Sequence, residues 1–250
     1  MQSQLTVVII TFNEERNIRR CIESVLPLDP KVILLDSFST DRTSAIASEL
    51  GAAFYQHAFD GHIQQKNRVL AMAQTEWVLS LDADEALDGS LVESIREAIH
   101  SDTHLGYTMN RLTNYCGHWV KHCGWDPDTK LRLVKKNQAE WRGVNPHDRL
   151  ELFVGSQGHL SGDILHYSYY TQEDHLRQIE YFGKIAAQEL FQRGKRVGVP
   201  EIYLKVFAQF IKSYFFKLGL LDGRIGWTIS RLSAYATYRK YSILRSLYAS

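Results

Sequence analysis

The sequence predicts an α/β fold: a mostly parallel central sheet flanked by helices, with a helical extension at its C-terminal end. Three observations carry that expectation. Up to about residue 100, short apolar runs alternate with amphipathic helical patterns, the rhythm of strands joined by crossover helices. Three of the apolar runs end in polar clusters, Thr11-Phe12-Asn13-Glu14, Asp36-Ser37 and Asp82-Ala83-Asp84, and sites in such sheets lie beyond the carboxyl ends of the strands. The last 50 or so residues carry helical apolar spacing.

Taken in order, Leu5–Thr11 is a β-branched strand, and Ile18, Cys21, Ile22 and Val25 give helical spacing over Ile18–Leu26. Val32–Asp36 is the second strand. Ser39-Thr40-Asp41 supplies N-cap oxygens for a helix over Thr43–Leu50, which Gly51 closes. A short strand over Ala53–Gln56 precedes a helix over Ile63–Ala73; Trp77–Asp82 is the fourth strand and Ser90–His100 the next helix. Gly106–Leu112, Lys130–Lys135 and Asp163–His166 read as strands in a less regular stretch, and Glu173–Arg193 as a helix ended by Gly194. The expected organisation is one α/β domain over 1–170, in two halves that meet at about residue 100, then a helical extension over 171–250.

At 250 residues, 44% apolar and 23% charged, the chain has the make-up of an ordinary globular protein. Its net charge of +1 is unevenly spread. Pro200–Ser250 holds eight Lys and Arg against two Asp and Glu, together with 11 of the 29 aromatics, while the rest of the chain has 21 basic against 26 acidic residues. A mildly acidic body and a basic, aromatic tail imply separate jobs. Cys21, Cys116 and Cys123 make no disulfide framework, the start lacks signal-peptide character, and no window reads as a membrane-spanning helix. The expected location is cytoplasmic.

The most informative stretch is Trp77-Val-Leu-Ser-Leu-Asp82-Ala-Asp84-Glu85. Side chains alternate along an extended backbone, so Asp82 and Asp84 share a face at the end of a buried run. Like charges that close require a cation or a proton between them. Carboxylate oxygens with open positions suit Mg²⁺ or Mn²⁺, which complete their shell with substrate phosphates. Lys66 and Arg68 stand at the start of a helix where positive charge would lie beside those phosphates, with Lys66 the favoured of the two.

Thr11-Phe12-Asn13-Glu14-Glu15, Leu35-Asp36-Ser37-Phe38-Ser39-Thr40-Asp41-Arg42-Thr43 and Leu81-Asp82-Ala83-Asp84-Glu85 together resemble the inverting glycosyltransferase family 2, of GT-A fold, over roughly residues 5–150. Leu165-His166-Tyr167-Ser168-Tyr169 and Gly219–Gly226 are similar to the bacterial subgroup of lipopolysaccharide core β-glucosyltransferases. The resemblance implies transfer from a nucleotide-sugar, with UDP-hexose its suggestion, to a glycan or lipid-linked acceptor. It implies nucleotide-sugar contacts from Thr11, Phe12, Asn13, Glu14, Asp36, Lys66 and Asp82, and a metal held by Asp84 with Asp82 on ribose or metal-bound water. His166 is the further ligand it suggests. Many relatives carry a doubled acid where this chain has Asp36-Ser37, so the base and ribose contacts there rest on Asp36 alone.

An inverting transfer needs a base for the acceptor hydroxyl. Within Gly143–Leu150 the resemblance puts that role on Asp148, a shortened form of the subgroup's Glu, with His147 as the rival. Cys116, His118, His122 and Cys123 do not follow zinc-ligand spacing. Their neighbours Trp119 and Trp125, with Trp141, are expected to form an acceptor wall, since aromatic faces stack on sugar rings. The basic aromatic tail suits the inner face of an anionic membrane, and no nucleic-acid motif accompanies it. Two other readings stand beside the transferase. A haloacid-dehalogenase-like phosphatase would use Asp82 as nucleophile, but its motif follows a first strand and takes Thr or Val where Ala86 stands. A membrane-surface module that binds saccharide without turnover would gain no nucleotide affinity from metal.

Overall fold

The computed structural model describes residues 4–144 and 147–248. The chain divides into two compact units, one of residues 1–111 and 128–167, the other of residues 112–127 and 168–250. Residues 112–127, grouped with the second half of the α/β domain on sequence, thus belong with the C-terminal helices.

In the first unit, β1 (Leu5–Thr11), β2 (Lys31–Asp36), β3 (Ala53–Gln56) and β4 (Trp77–Asp82) form the parallel part of a sheet ordered β3-β2-β1-β4. The helices α1 (Ile18–Val25), α2 (Thr43–Glu49) and α3 (His62–Met72) make the crossovers. β1 pairs on both edges, which explains its near-continuous apolar run. Ile18, Cys21, Ile22 and Val25 are wholly buried on one side of α1, as their spacing requires. Asp41 supports the start of α2: its carboxylate accepts the Thr43 N–H at 2.9 Å and the Thr43 hydroxyl at 2.5 Å.

Beyond β4 the sheet turns antiparallel. β8 (Thr129–Lys135) pairs β4, and β6 (Gly106–Tyr115), β11 (Gln157–Tyr169) and β5 (Glu85–Leu87) continue the order. The helix α4 (Gly89–Ser101) follows β5 and is capped by Asp88, which accepts the Leu91 N–H at 2.7 Å. The stretch without an assigned element on sequence forms a separate two-stranded ribbon, β9 (Ala139–Val144) with β10 (His147–Leu152), in which Asp148 stands opposite Gly143. One core gathers around Val7, Ile9, Leu34, Leu79 and Ile95, and another around Val8, Val69, Val78 and Trp141.

The second unit contains β7 (His118–Trp119), which pairs the end of β6, and the helices α5 (Gln172–Gln192), α6 (Val199–Ile211) and α7 (Gly223–Ser246). A full capping box of Thr171 and Asp174 starts α5. Its small core holds Tyr115, Val120, Cys123 and Ile229, with Trp125 and Tyr169 packed against them.

Candidate active site

The carboxyl ends of β1 and β2 are latched to each other through their loops. Asn13, in a left-handed backbone conformation (φ 54°), donates its N–H to Ser39 Oγ at 2.8 Å and accepts the Thr40 N–H on its side chain at 2.9 Å. The Glu14 N–H reaches Thr43 Oγ1, and Glu15 exchanges bonds with Asp41 and Arg42. Asp36 is fully buried beneath these loops, accepting from Thr11 Oγ1, the Ser39 N–H and hydroxyl, and Gln56. Its oxygens accept from the loops on both sides, so it organises the turn that the nucleotide contacts were expected to use. Phe12 and Phe38 stand out from these loops at 59% and 54% exposure, Phe38 with a φ of 62° that a bulky residue seldom adopts.

The charged centre lies at the end of β4. Lys66 Nζ sits 2.9 Å from Asp82 Oδ1 and 2.9 Å from Asp148 Oδ2, and 4.1 Å from the centroid of the Trp141 ring. Arg132, from β8, reaches Asp82 Oδ2 at 3.0 Å and Glu85 Oε1 at 2.8 Å. Glu85 in turn accepts the Asp82 N–H at 3.0 Å and lies 3.5 Å from Arg111, which pairs Asp128 at 2.7 Å. Burial by itself would raise the Asp82 carboxyl, but the charges of Lys66 and Arg132 hold it well below the usual carboxylate range. Asp82 is therefore an anion whose two oxygens are both engaged by cations.

Asp84 points elsewhere. Its Oδ2 faces His166 Nε2 at 3.2 Å. Burial disfavours a charged His166, yet the Asp84 carboxylate outweighs it and raises the imidazole pKa. Glu14 shares this region: burial pushes its carboxyl up to about 7 against the opposing hydrogen bond from Asn17, and the charge of Asp84 adds to the rise.

Asp84 and His166 present a carboxylate and an imidazole side by side, donors that fit a divalent ion. No group of three or more His, Cys, Asp or Glu among the described residues forms a complete cage. A Mg²⁺ or Mn²⁺ site completed by substrate phosphates takes few protein donors. Asp82, expected to share the ion, is instead occupied by Lys66 and Arg132.

Of the other expected residues, the side chain of His147 lies outside the described residues, as do Asn145 and Pro146. Trp141 is only 4% exposed, with Lys66 and Arg132 against its ring, so the sugar-stacking role expected for it gives way to that of a floor for these cations. Trp125 packs against Tyr115, Tyr169 and His175 in the second unit, and Trp119 is half-buried in β7. Sequence reasoning missed Arg132 and Phe38. The signal for Arg132 was there: a guanidinium in the middle of Leu131-Arg132-Leu133-Val134 belongs in a strand only if it meets a buried carboxylate.

Comparison with known proteins agrees with the resemblance. Residues 6–155 match the profile of glycosyl transferase family 2, and the chain belongs to that family. It is 29% identical over 255 residues to an uncharacterized glycosyltransferase of Rickettsia typhi, covering 98% of this chain and 87% of that one. Identity is 25% over 268 residues to the lipopolysaccharide core biosynthesis glycosyltransferase LpsC of Rhizobium meliloti, covering 96% and 93%. Among solved structures, glucosyl-3-phosphoglycerate synthase of Mycobacterium tuberculosis, in complex with Mn²⁺, UDP and glucosyl-3-phosphoglycerate, is 24% identical with a TM-score of 0.38. That match covers 44% of this chain, and the chain spans less than half (44%) of the synthase. S. aureus TarS 1–349 in complex with UDP is 13% identical with a TM-score of 0.45, covering 98% and 91%.

Proposed function

We propose that this glycosyltransferase moves a hexose from a nucleotide-sugar, UDP-hexose first among candidates, to a lipid-linked glycan such as lipopolysaccharide core, with inversion and with a divalent ion bound by Asp84 and His166. The observation that carries the reading is the Lys66 ammonium shared, at 2.9 Å each, by Asp82 at the end of β4 and Asp148 on the β9–β10 ribbon. One cation thereby ties a donor-side acid to the acid proposed as base.

The exposed rings of Phe12 and Phe38, over the buried Asp36 turn, offer faces for the nucleobase. Asp82, kept anionic by Arg132, accepts from the ribose on the oxygen that Lys66 vacates. The diphosphate draws Lys66 toward itself, where its charge favours the departing group and its release frees Asp148. The acceptor hydroxyl oxygen then attacks the anomeric carbon opposite the nucleotide, its proton passes to Asp148, and the C–O bond breaks with its electron pair going to the diphosphate. A Mg²⁺ or Mn²⁺ ion held by Asp84 and His166 would supply Lewis-acid stabilisation of the charge on that diphosphate. The relation to LpsC supports a lipid-linked acceptor and, with the basic tail, a place at the cytoplasmic face of the inner membrane.

A thermal-shift series with UDP, GDP and CMP, each with and without Mn²⁺, tests the reading. One nucleotide should stabilise the chain in a metal-dependent manner, and Asp84→Ala should remove the metal's contribution. Equal stabilisation with and without Mn²⁺ would favour the non-catalytic saccharide-binding module, and a shift with inorganic phosphate but no nucleotide would favour the phosphatase.

A further inference from the structure

In the second unit, α6 passes through a π-helical turn, Lys212–Phe216, and a 3-10 turn, Gly219–Asp222, before α7 begins at Gly223. Between the two helices the chain displays Phe215, Phe216, Leu218, Leu220 and Leu221. Phe216 is 79% exposed and Leu221 59%. On α6 itself Leu204 and Phe207 are as open, at helical spacing from one another. Folding buries apolar side chains wherever it can, so a contiguous exposed group of this kind marks a surface for something else.

The hairpin is built to hold these side chains out. Gly226 lets the start of α7 touch the 3-10 turn, where a Cβ would meet the Gly219 carbonyl oxygen at 1.8 Å, and Gly219 lets the 3-10 turn touch the π turn, where a Cβ would meet the Ser213 carbonyl oxygen at 2.9 Å and Cys123 Sγ at 2.8 Å. The Lys217 N–H bonds to the Lys212 carbonyl at 2.8 Å, closing the π turn, and the Lys217 carbonyl accepts the Cys123 N–H at 2.8 Å. Ser213 and Ser230 bond to each other beneath the tip at 3.0 Å. Asp222 receives the His122 N–H and ring at 3.0 and 2.7 Å. The apolar residues are thus presented by a fixed frame, not by a collapsed or open loop.

The exposed charges from Lys212 to Arg224 are all basic. Lys212, Lys217 and Arg224 are exposed beside the tip. Asp222 is the sole acid after Glu201, and it is tied to His122. Trp227, at 45% exposure on α7, adds an amphipathic ring of the type that sits at a membrane–water boundary.

We infer that the α6–α7 hairpin tip is a wedge that docks into the headgroup region of an anionic lipid bilayer. The apolar tip enters the acyl boundary while Lys212, Lys217 and Arg224 form a collar on the lipid phosphates. A second copy of the chain is a poorer occupant, because it would bring its own cationic collar against this one. The inference deepens the proposal of a lipid-linked acceptor by naming the surface that meets the lipid. Each basic residue close to an anionic surface strengthens binding about fivefold, so the collar accounts for about a hundredfold.

The test is flotation of the full chain with vesicles of phosphatidylglycerol and phosphatidylethanolamine, and with phosphatidylcholine vesicles as the uncharged control. The wild type should float with the anionic vesicles and lose most binding at high salt. The triple variant Lys212→Gln, Lys217→Gln, Arg224→Gln should bind about a hundredfold more weakly, and Phe216→Glu with Leu221→Glu should stay in solution. Circular dichroism and the nucleotide–Mn²⁺ thermal shift, unchanged in both variants, show that the fold and the nucleotide site are intact. Should the double glutamate variant misfold, Phe216→Ser alone serves, with weaker flotation expected. Failure of the wild type to float, flotation unaltered in the variants, or a wild-type dimer that the tip variant dissolves would each overturn the inference. Because flotation needs no nucleotide, its failure is distinct from failure of the transferase reading, which the thermal shift reports.

Discussion

Replacing Arg132 with Met removes the guanidinium between Asp82 and Glu85 while keeping an unbranched chain beside Trp141. Glu85 is 1% exposed and Arg132 3% exposed, and they meet at 2.8 Å. Without Arg132 the nearest remaining cation to Glu85 is Arg111 at 3.5 Å, already engaged by Asp128. Removing one partner of a buried ion pair costs about 3–5 kcal/mol, because the other charge stays behind without compensation. For a chain of this size that corresponds to a fall in Tm of roughly 6–20 °C. A second variant, Arg132→Met with Glu85→Gln, separates that cause from loss of packing. Glutamine keeps an oxygen for the Asp82 N–H, now at 3.0 Å from Glu85 Oε2, but carries no charge. Thermal and urea unfolding of the wild type and both variants gives the comparison, and the double variant should recover much of the lost stability. A single variant within about 1 kcal/mol of wild type, or a double variant no more stable than the single, would refute the argument that Arg132 is held in β8 by Glu85.

Asp148→Asn should lower transfer by about 10²–10⁴-fold, the usual worth of a general base, while UDP binding by calorimetry persists; a loss of UDP affinity alone would move Asp148 to the donor side. Glu14→Gln reads out a pH dependence. The folded pKa of Glu14, about 7, lies above its ordinary value of 4.5, so its contribution to stability is whole below about pH 4.5 and falls as pH rises toward 7. The variant lacks that decline, and its advantage in urea midpoint over wild type should grow across this window and then level off. A constant difference from about pH 4 to pH 8 would contradict a raised pKa at the half-buried Glu14.

Much of the first unit was legible because the information is local. Alternating apolar runs and helical spacing specify β1 to β4 and their crossovers, and the polar residues that end β1, β2 and β4 mark the sheet edge where Asp36, Asp82 and Asp84 stand. The antiparallel continuation through β8, β6, β11 and β5, and the β9–β10 ribbon, rest on pairings between distant segments, which periodicity does not encode. Residue types along the chain determined that carboxylates, a lysine and aromatic rings would be available. Only the tertiary structure decided their partners: Lys66 with Asp82 and, across 82 residues, with Asp148, Asp84 with His166, Arg132 with Glu85, and Trp141 beneath the cations. The reason is physical. A strand or helix follows from neighbouring residues, whereas a buried charge finds its counterion only when folding brings remote segments within about 4 Å in a medium that screens poorly.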